Sequence, residues 1–127
     1  MNSQRFATAI NCMDGRVQVP IMEYLKSQYG VDYVDMITEA GPVCPLSRVE
    51  MKNIIDSIRK RVEISIHKHH SELIAIVAHA DCAGNPVKKE TQIQQMLAAI
   101  KTVTAWNFEA QVIGLWVDQS GKVNEVG

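Results

Sequence analysis

The chain has 127 residues, enough for one compact domain spanning 1–127 and short for two. Its 46% hydrophobic and 21% charged residues are the balance of an ordinary globular chain, and its formal net charge of −1 removes the electrostatic case for a nucleic-acid or anionic-membrane partner. No apolar run reaches the roughly 20 residues of a membrane-spanning helix. The opening residues, Met1 to Phe6, lack a signal-peptide pattern, so a cytoplasmic location is expected. Three cysteines, Cys12, Cys44 and Cys82, cannot all pair within one chain. They read as core residues, metal ligands or reactive thiols rather than a disulfide framework.

Strand and helix patterns alternate, without repeats or low-complexity segments. Residues 6–11 form a short apolar run that predicts a buried strand ending at Cys12. A helix is expected over 19–29, with Ile21, Met22 and Leu25 at helical spacing, Pro20 in the first turn and Gly30 as the stop. Residues 33–37 read as a second strand, closed by Gly41-Pro42. Ser47 followed by Glu50 has capping-box spacing and predicts the start of a long helix. Its stripe of Met51, Ile54, Ile55, Ile58, Val62 and Ile66 runs to about His69. Residues 73–78 are all apolar, as in a central strand of a parallel sheet. Asn85-Pro86 is expected to cap and start a further helix with Ile93, Met96, Leu97, Ile100 and Val103 facing inward. Residues 111–117 predict a fourth strand, and Gly121 turns the chain into 122–126, which can pair at an edge.

This alternation implies an α/β fold: a mainly parallel central sheet of about four to five strands with helices on both faces. Ligands of such sheets bind at the carboxyl ends of strands, where the strand order reverses. Cys12 follows the first strand, and His79 and Cys82 follow the third. If those two strands are neighbours, the three side chains meet in one crevice.

Thiolate and imidazole are the donors that tetrahedral zinc prefers, and a catalytic zinc keeps one position for water. His79 and Cys82, three residues apart, allow one turn to supply two ligands, and Cys12 would be a distant third. On its own that spacing is weak evidence for a metal site, and a helix-start turn carrying a buried cysteine is the commoner reading. A second pattern, Cys12-Met13-Asp14-Gly15-Arg16, follows the first strand. A phosphatase loop would need an arginine six positions after Cys12, where Gln18 stands. The glycine-rich turn of a dinucleotide site is also missing.

Cys12-x-Asp14-x-Arg16 and His79-x-x-Cys82, with Val17, Ala40-Gly41 and Gly84, resemble the two signatures of the β-class carbonic anhydrases over roughly residues 8–117. The resemblance implies that Cys12, His79 and Cys82 bind Zn²⁺ and that Asp14 pairs with Arg16. It further implies reversible hydration of CO₂ to bicarbonate by a zinc-bound hydroxide, with Asp14 and Arg16 organising the nucleophile. In a closed state Asp14 would become a fourth ligand and displace the water. A homodimer or higher homo-oligomer is the implied assembly.

Several features depart from the family. The N-terminal helical arm, with its substrate-binding glutamine, is not matched in the five residues before the first strand, and Gln18 and Gln28, which lie after the motif, are not assigned its role. Thr38-Glu39-Ala40-Gly41 replaces an Arg-x-Ala-Gly pattern, and an acidic Glu39 disfavours an anionic product. These departures keep two alternatives open: a hydrolase of a related electrophile such as carbonyl sulfide, and a catalytically silent zinc-binding domain. Asp81 reads as a turn cap or a proton relay, the first being favoured. His67, His69 and His70 are expected to be solvated at a helix end, with a second metal as the alternative. Cys44 is left open between core and pocket mouth, and Trp106 and Trp116 are expected in packing.

Overall fold

The computed structural model describes residues 4–126. Residues 1–3, part of the opening read above for a leader, and residue 127 lie outside it. Five strands, β1 (Phe6–Cys12), β2 (Tyr33–Glu39), β3 (Leu73–His79), β4 (Gln111–Val117) and β5 (Val123–Val126), form one sheet in the order β2-β1-β3-β4-β5. The first four are parallel and β5 is an antiparallel edge on β4.

Helix α1 (Gln18–Tyr29) covers one face, where Ile21 and Leu25 pack with Ala7, Ala9, Ala75, Val77 and Leu115. The short α2 (Val43–Leu46), α3 (Lys52–His69) and α4 (Lys89–Thr104) cover the other, around Ile10, Ile58, Val62, Ile74, Ile76 and Met96. Every residue of β3 is buried, as its two apolar faces require. From β1 the chain leaves by α1 toward β2; from β3 it leaves by α4 in the opposite direction, toward β4. The crevice between the carboxyl ends of β1 and β3 is therefore the switch point of the fold.

Some local expectations are corrected. Ser47 does not open the long helix: its hydroxyl donates to the Cys44 carbonyl at 2.7 Å, closing α2, and α3 begins five residues later without a side-chain cap. The unpredicted α2 owes its existence to tertiary packing, with Val43 and Leu46 buried under α4. Asn85-Pro86 does not start α4, which begins at Lys89; Asn85 is held in the preceding loop, where its amide donates to Gln95. Leu97 is exposed, and the inward position at the start of α4 belongs to Gln92 instead.

A buried hydroxyl chain ties α3 to the sheet. Thr8 bonds Ser65 at 2.6 Å and Ser71 at 3.0 Å, and Ser65 donates to Asp35 at 2.7 Å. His69 sits 2.7 Å from the same carboxylate and stacks on Phe6, whereas His67 packs edge-on against Phe108 and His70 is the left-handed cap of α3. The three histidines thus serve separate contacts.

Candidate metal centre

The ladder between β1 and β3 ends at Ile10–Ile76, while β1 stays paired with β2 through Cys12–Glu39. Beyond Ile10 the two central strands part, and the loops that follow them face each other across the gap. Cys12, His79 and Cys82 converge there, all buried, with one donor atom from each lying within 4.8 Å of the other two. Among the described residues this is the one group of three such side chains close enough to hold a metal ion.

The donors are poised for a cation. The two Sγ atoms are 3.8 Å apart. Burial, and then the neighbouring Cys12, push the Cys82 thiol above its ordinary range, which is the behaviour of thiols crowded together without a positive charge. His79 Nδ1 lies 2.8 Å from the Ala80 carbonyl, so Nδ1 carries the proton and donates. That leaves Nε2 with its lone pair toward the thiols, the one fully buried side-chain nitrogen or oxygen among the described residues without a hydrogen-bond partner. An orphaned buried nitrogen is costly, and a metal ion would satisfy it.

The first loop folds about its own acidic residue. Asp14 caps a 3-10 turn, Gly15–Val17, by accepting from the Arg16 N–H at 2.9 Å. The Arg16 guanidinium forks onto the same carboxylate, with Nη2 at 2.6 Å and Nε at 3.1 Å. These bonds hold the Asp14 carboxyl well below the usual carboxylate range. Asp14 Oδ2 stands 4.0 Å from His79 Nε2, so the clamped carboxylate faces the donors.

Arg16 also reaches Asp81, which is not the turn cap expected. Asp81 adopts φ +58° in the second loop, and its carboxylate and carbonyl both accept from Arg16. Glu39, at the end of β2, is neutralised by an ion pair with Arg61 of α3, so its charge does not face the crevice unopposed. The second loop is seated by contact between Ala40-Gly41 and Gly84-Asn85. A Cβ on Gly84 would stand 2.7 Å from Ala40 Cβ, and one on Gly41 2.6 Å from Asn85 Cβ.

Three buried or half-buried amides also reach these loops: Asn11, Gln18 and Gln92. The signal for two of them was a polar residue where the pattern asks for an apolar one, at the end of β1 and on the inner face of α4. Cys44 lies half-buried in α2 and is not part of the cluster.

A family model described as "Putative carbonic anhydrase" matches residues 2–127. The chain belongs to that family. No curated protein matches it. Among solved structures, one of two tetrameric β-carbonic anhydrases from the ascomycete Sordaria macrospora superposes with a TM-score of 0.58 at 12% identity, over 100% of this chain and 82% of that one. The β-carbonic anhydrase CafA of Aspergillus fumigatus superposes with a TM-score of 0.52 at 14% identity, over 98% and 76%. The five-stranded, mostly parallel sheet with helices on both faces is the β-carbonic anhydrase fold, as the two motifs implied. Among the described residues no helix is long and apolar enough to cross a membrane.

Proposed function

We propose that this carbonic anhydrase family member holds one zinc ion through Cys12, His79 and Cys82 and hydrates CO₂ reversibly to bicarbonate. The observation that carries this reading is the unpartnered Nε2 of His79, buried between two thiols and facing the Asp14–Arg16 pair. The donors fit the metal. Two sulfurs bound to tetrahedral zinc, each at about 2.3 Å, stand about 3.8 Å apart, and here the separation is 3.8 Å. Zinc bound there would supply the Lewis acidity that activates a water as nucleophile.

The chain's own residues then divide the work. The Ala80 carbonyl holds His79 in the tautomer that presents Nε2. Asp14, kept ionised by Arg16, is too weak a base to take a proton at neutral pH; Oδ2 acts as a hydrogen-bond acceptor that orients the attacking water. Arg16 keeps Asp14 from swinging onto the metal as a fourth ligand. A small cavity of about 60 Å³, bordered by Arg16, Val17, His79 and Gln119, adjoins the site. The proton left over departs to solvent past the exposed rim of the first loop. A homo-oligomer in the cytoplasm is part of the same reading. It is supported by the exposed Met13 and Val19 beside the site and by three unpaired cysteines.

Metal analysis of the purified chain tests the first half: about one zinc per chain is expected, lost in Cys82→Ser, and zinc-free protein would sink the metal reading. Stopped-flow CO₂ hydration up to about pH 9 tests the second, since thiolate ligands raise the pKa of bound water. No rate above buffer in zinc-loaded protein, or a rate unchanged in Asp14→Ala, would overturn the assigned reaction.

A further inference from the structure

The first loop leaves β1 just where the β1–β3 ladder has ended, so its backbone groups lose their strand partner on that side. Buried groups in that position must be satisfied by something else. Asn11, fully buried at the end of β1, does this with both ends of one carboxamide. Its Oδ1 accepts from the Cys12 N–H at 2.8 Å and its Nδ2 donates to the Val17 carbonyl at 3.1 Å. The amide therefore closes a ring around the six residues that carry Cys12, Asp14 and Arg16.

The second loop has a counterpart. Gln92 is 2% exposed on the inner face of α4, where an apolar residue would pack at lower desolvation cost. Its Nε2 donates to the His79 carbonyl at 3.0 Å and to the Val87 carbonyl at 3.4 Å, spanning the loop that carries His79 and Cys82.

We infer that Asn11 and Gln92 are positioning residues: each spans one of the two ligand-bearing loops and sets where its donors stand. Neither touches the donor atoms, and each acts through the backbone of a ligand residue. The inference rests on the zinc reading above and adds two residues to it that lie outside both motifs. Methionine replaces Gln92 at nearly constant volume, and leucine keeps the branched skeleton of Asn11 with bulkier methyl ends; neither has the amide groups, so the loops lose their ties while the core stays filled.

The test compares wild type, Asn11→Leu, Gln92→Met and a control, Ile58→Ala, which damages the α3 layer away from the site. Zinc affinity is measured by competition with a chromophoric chelator, and the visible absorption of the cobalt(II)-substituted proteins reports ligand geometry. Asn11→Leu and Gln92→Met are expected to weaken zinc binding by about 10- to 100-fold and to shift the cobalt bands. Ile58→Ala is expected to lower the melting temperature with neither effect. Gln92→Met carries the test on its own if Asn11→Leu does not fold. Wild-type affinity and an unshifted cobalt spectrum in the folded variants would overturn the inference alone. A wild-type chain that takes up no zinc would overturn the underlying metal reading with it.

Discussion

Arg16 of the first loop holds Asp81 of the second, with Nη1 3.2 Å from the carboxylate and Nη2 donating to the carbonyl at 3.0 Å. The same guanidinium grips Asp14, so one side chain sets the spacing between the loops. Both Arg16 and Asp81 are largely exposed, and water weakens their pairing. Asp81→Ala should therefore lower CO₂ hydration only modestly, within about fivefold. Arg16→Met, which also frees Asp14, should lower it by about 10- to 100-fold. Stopped-flow rates beside zinc content check this; a larger effect at Asp81 than at Arg16 would refute the ordering.

Contact between Ala40 and Gly84 leaves no room for a methyl group, because the atoms that would be struck include Ala40 backbone. Gly84→Ala should cost about 1–3 kcal/mol by overpacking. Gly41→Ala should cost a similar amount and add the left-handed strain of φ +58°. Gly15, with nothing within 4 Å, is the control, and its alanine variant should stay within about 0.5 kcal/mol of wild type. Urea denaturation of the three variants decides the matter.

Tyr24 and Tyr29 of α1 each donate to one oxygen of Glu125 on β5 at 2.8 Å. Burial, then the Glu125 carboxylate, push Tyr29 up to about 12, and Tyr24 moves in the same direction. The folded chain holds these protons more tightly than the unfolded chain, whose tyrosines titrate near about 10. Their contribution to stability is complete below about pH 10 and is lost as the pH rises through about 12. Urea midpoints followed across that window should fall less steeply in Tyr29→Phe than in wild type. Equal slopes would show that the pair does not tie α1 to the edge strand.

Zinc added to metal-free protein should raise its melting temperature, because the ion binds the folded site and the unfolded chain cannot assemble it. Binding requires thiolates, and the Cys82 proton is held above its ordinary range by burial and by Cys12. Zinc must displace that proton, so affinity should rise with pH. Calorimetry in buffers of different ionisation enthalpy should count at least about one proton released per zinc. A pH-independent affinity would contradict this donor set.

The sheet and the cluster of Cys12, His79 and Cys82 can be read from local sequence. Each rests on patterns that a single segment carries: the wholly apolar 73–78, the stripe from Met51 to Ile66, and two motifs placed directly after strands. Their meeting followed from topology, since a strand order that reverses between β1 and β3 leaves one crevice for both motifs. What held the loops was decided only by the tertiary structure. Ser47 closes α2 instead of opening α3, because α2 exists only where Val43 and Leu46 can be buried. Asp81 turns to Arg16 rather than to its own turn, and Asn11 and Gln92 spend buried amides on backbone groups far along the chain or freed where a ladder ends. Such partners are chosen by distances across the fold, and local sequence carries no record of distance.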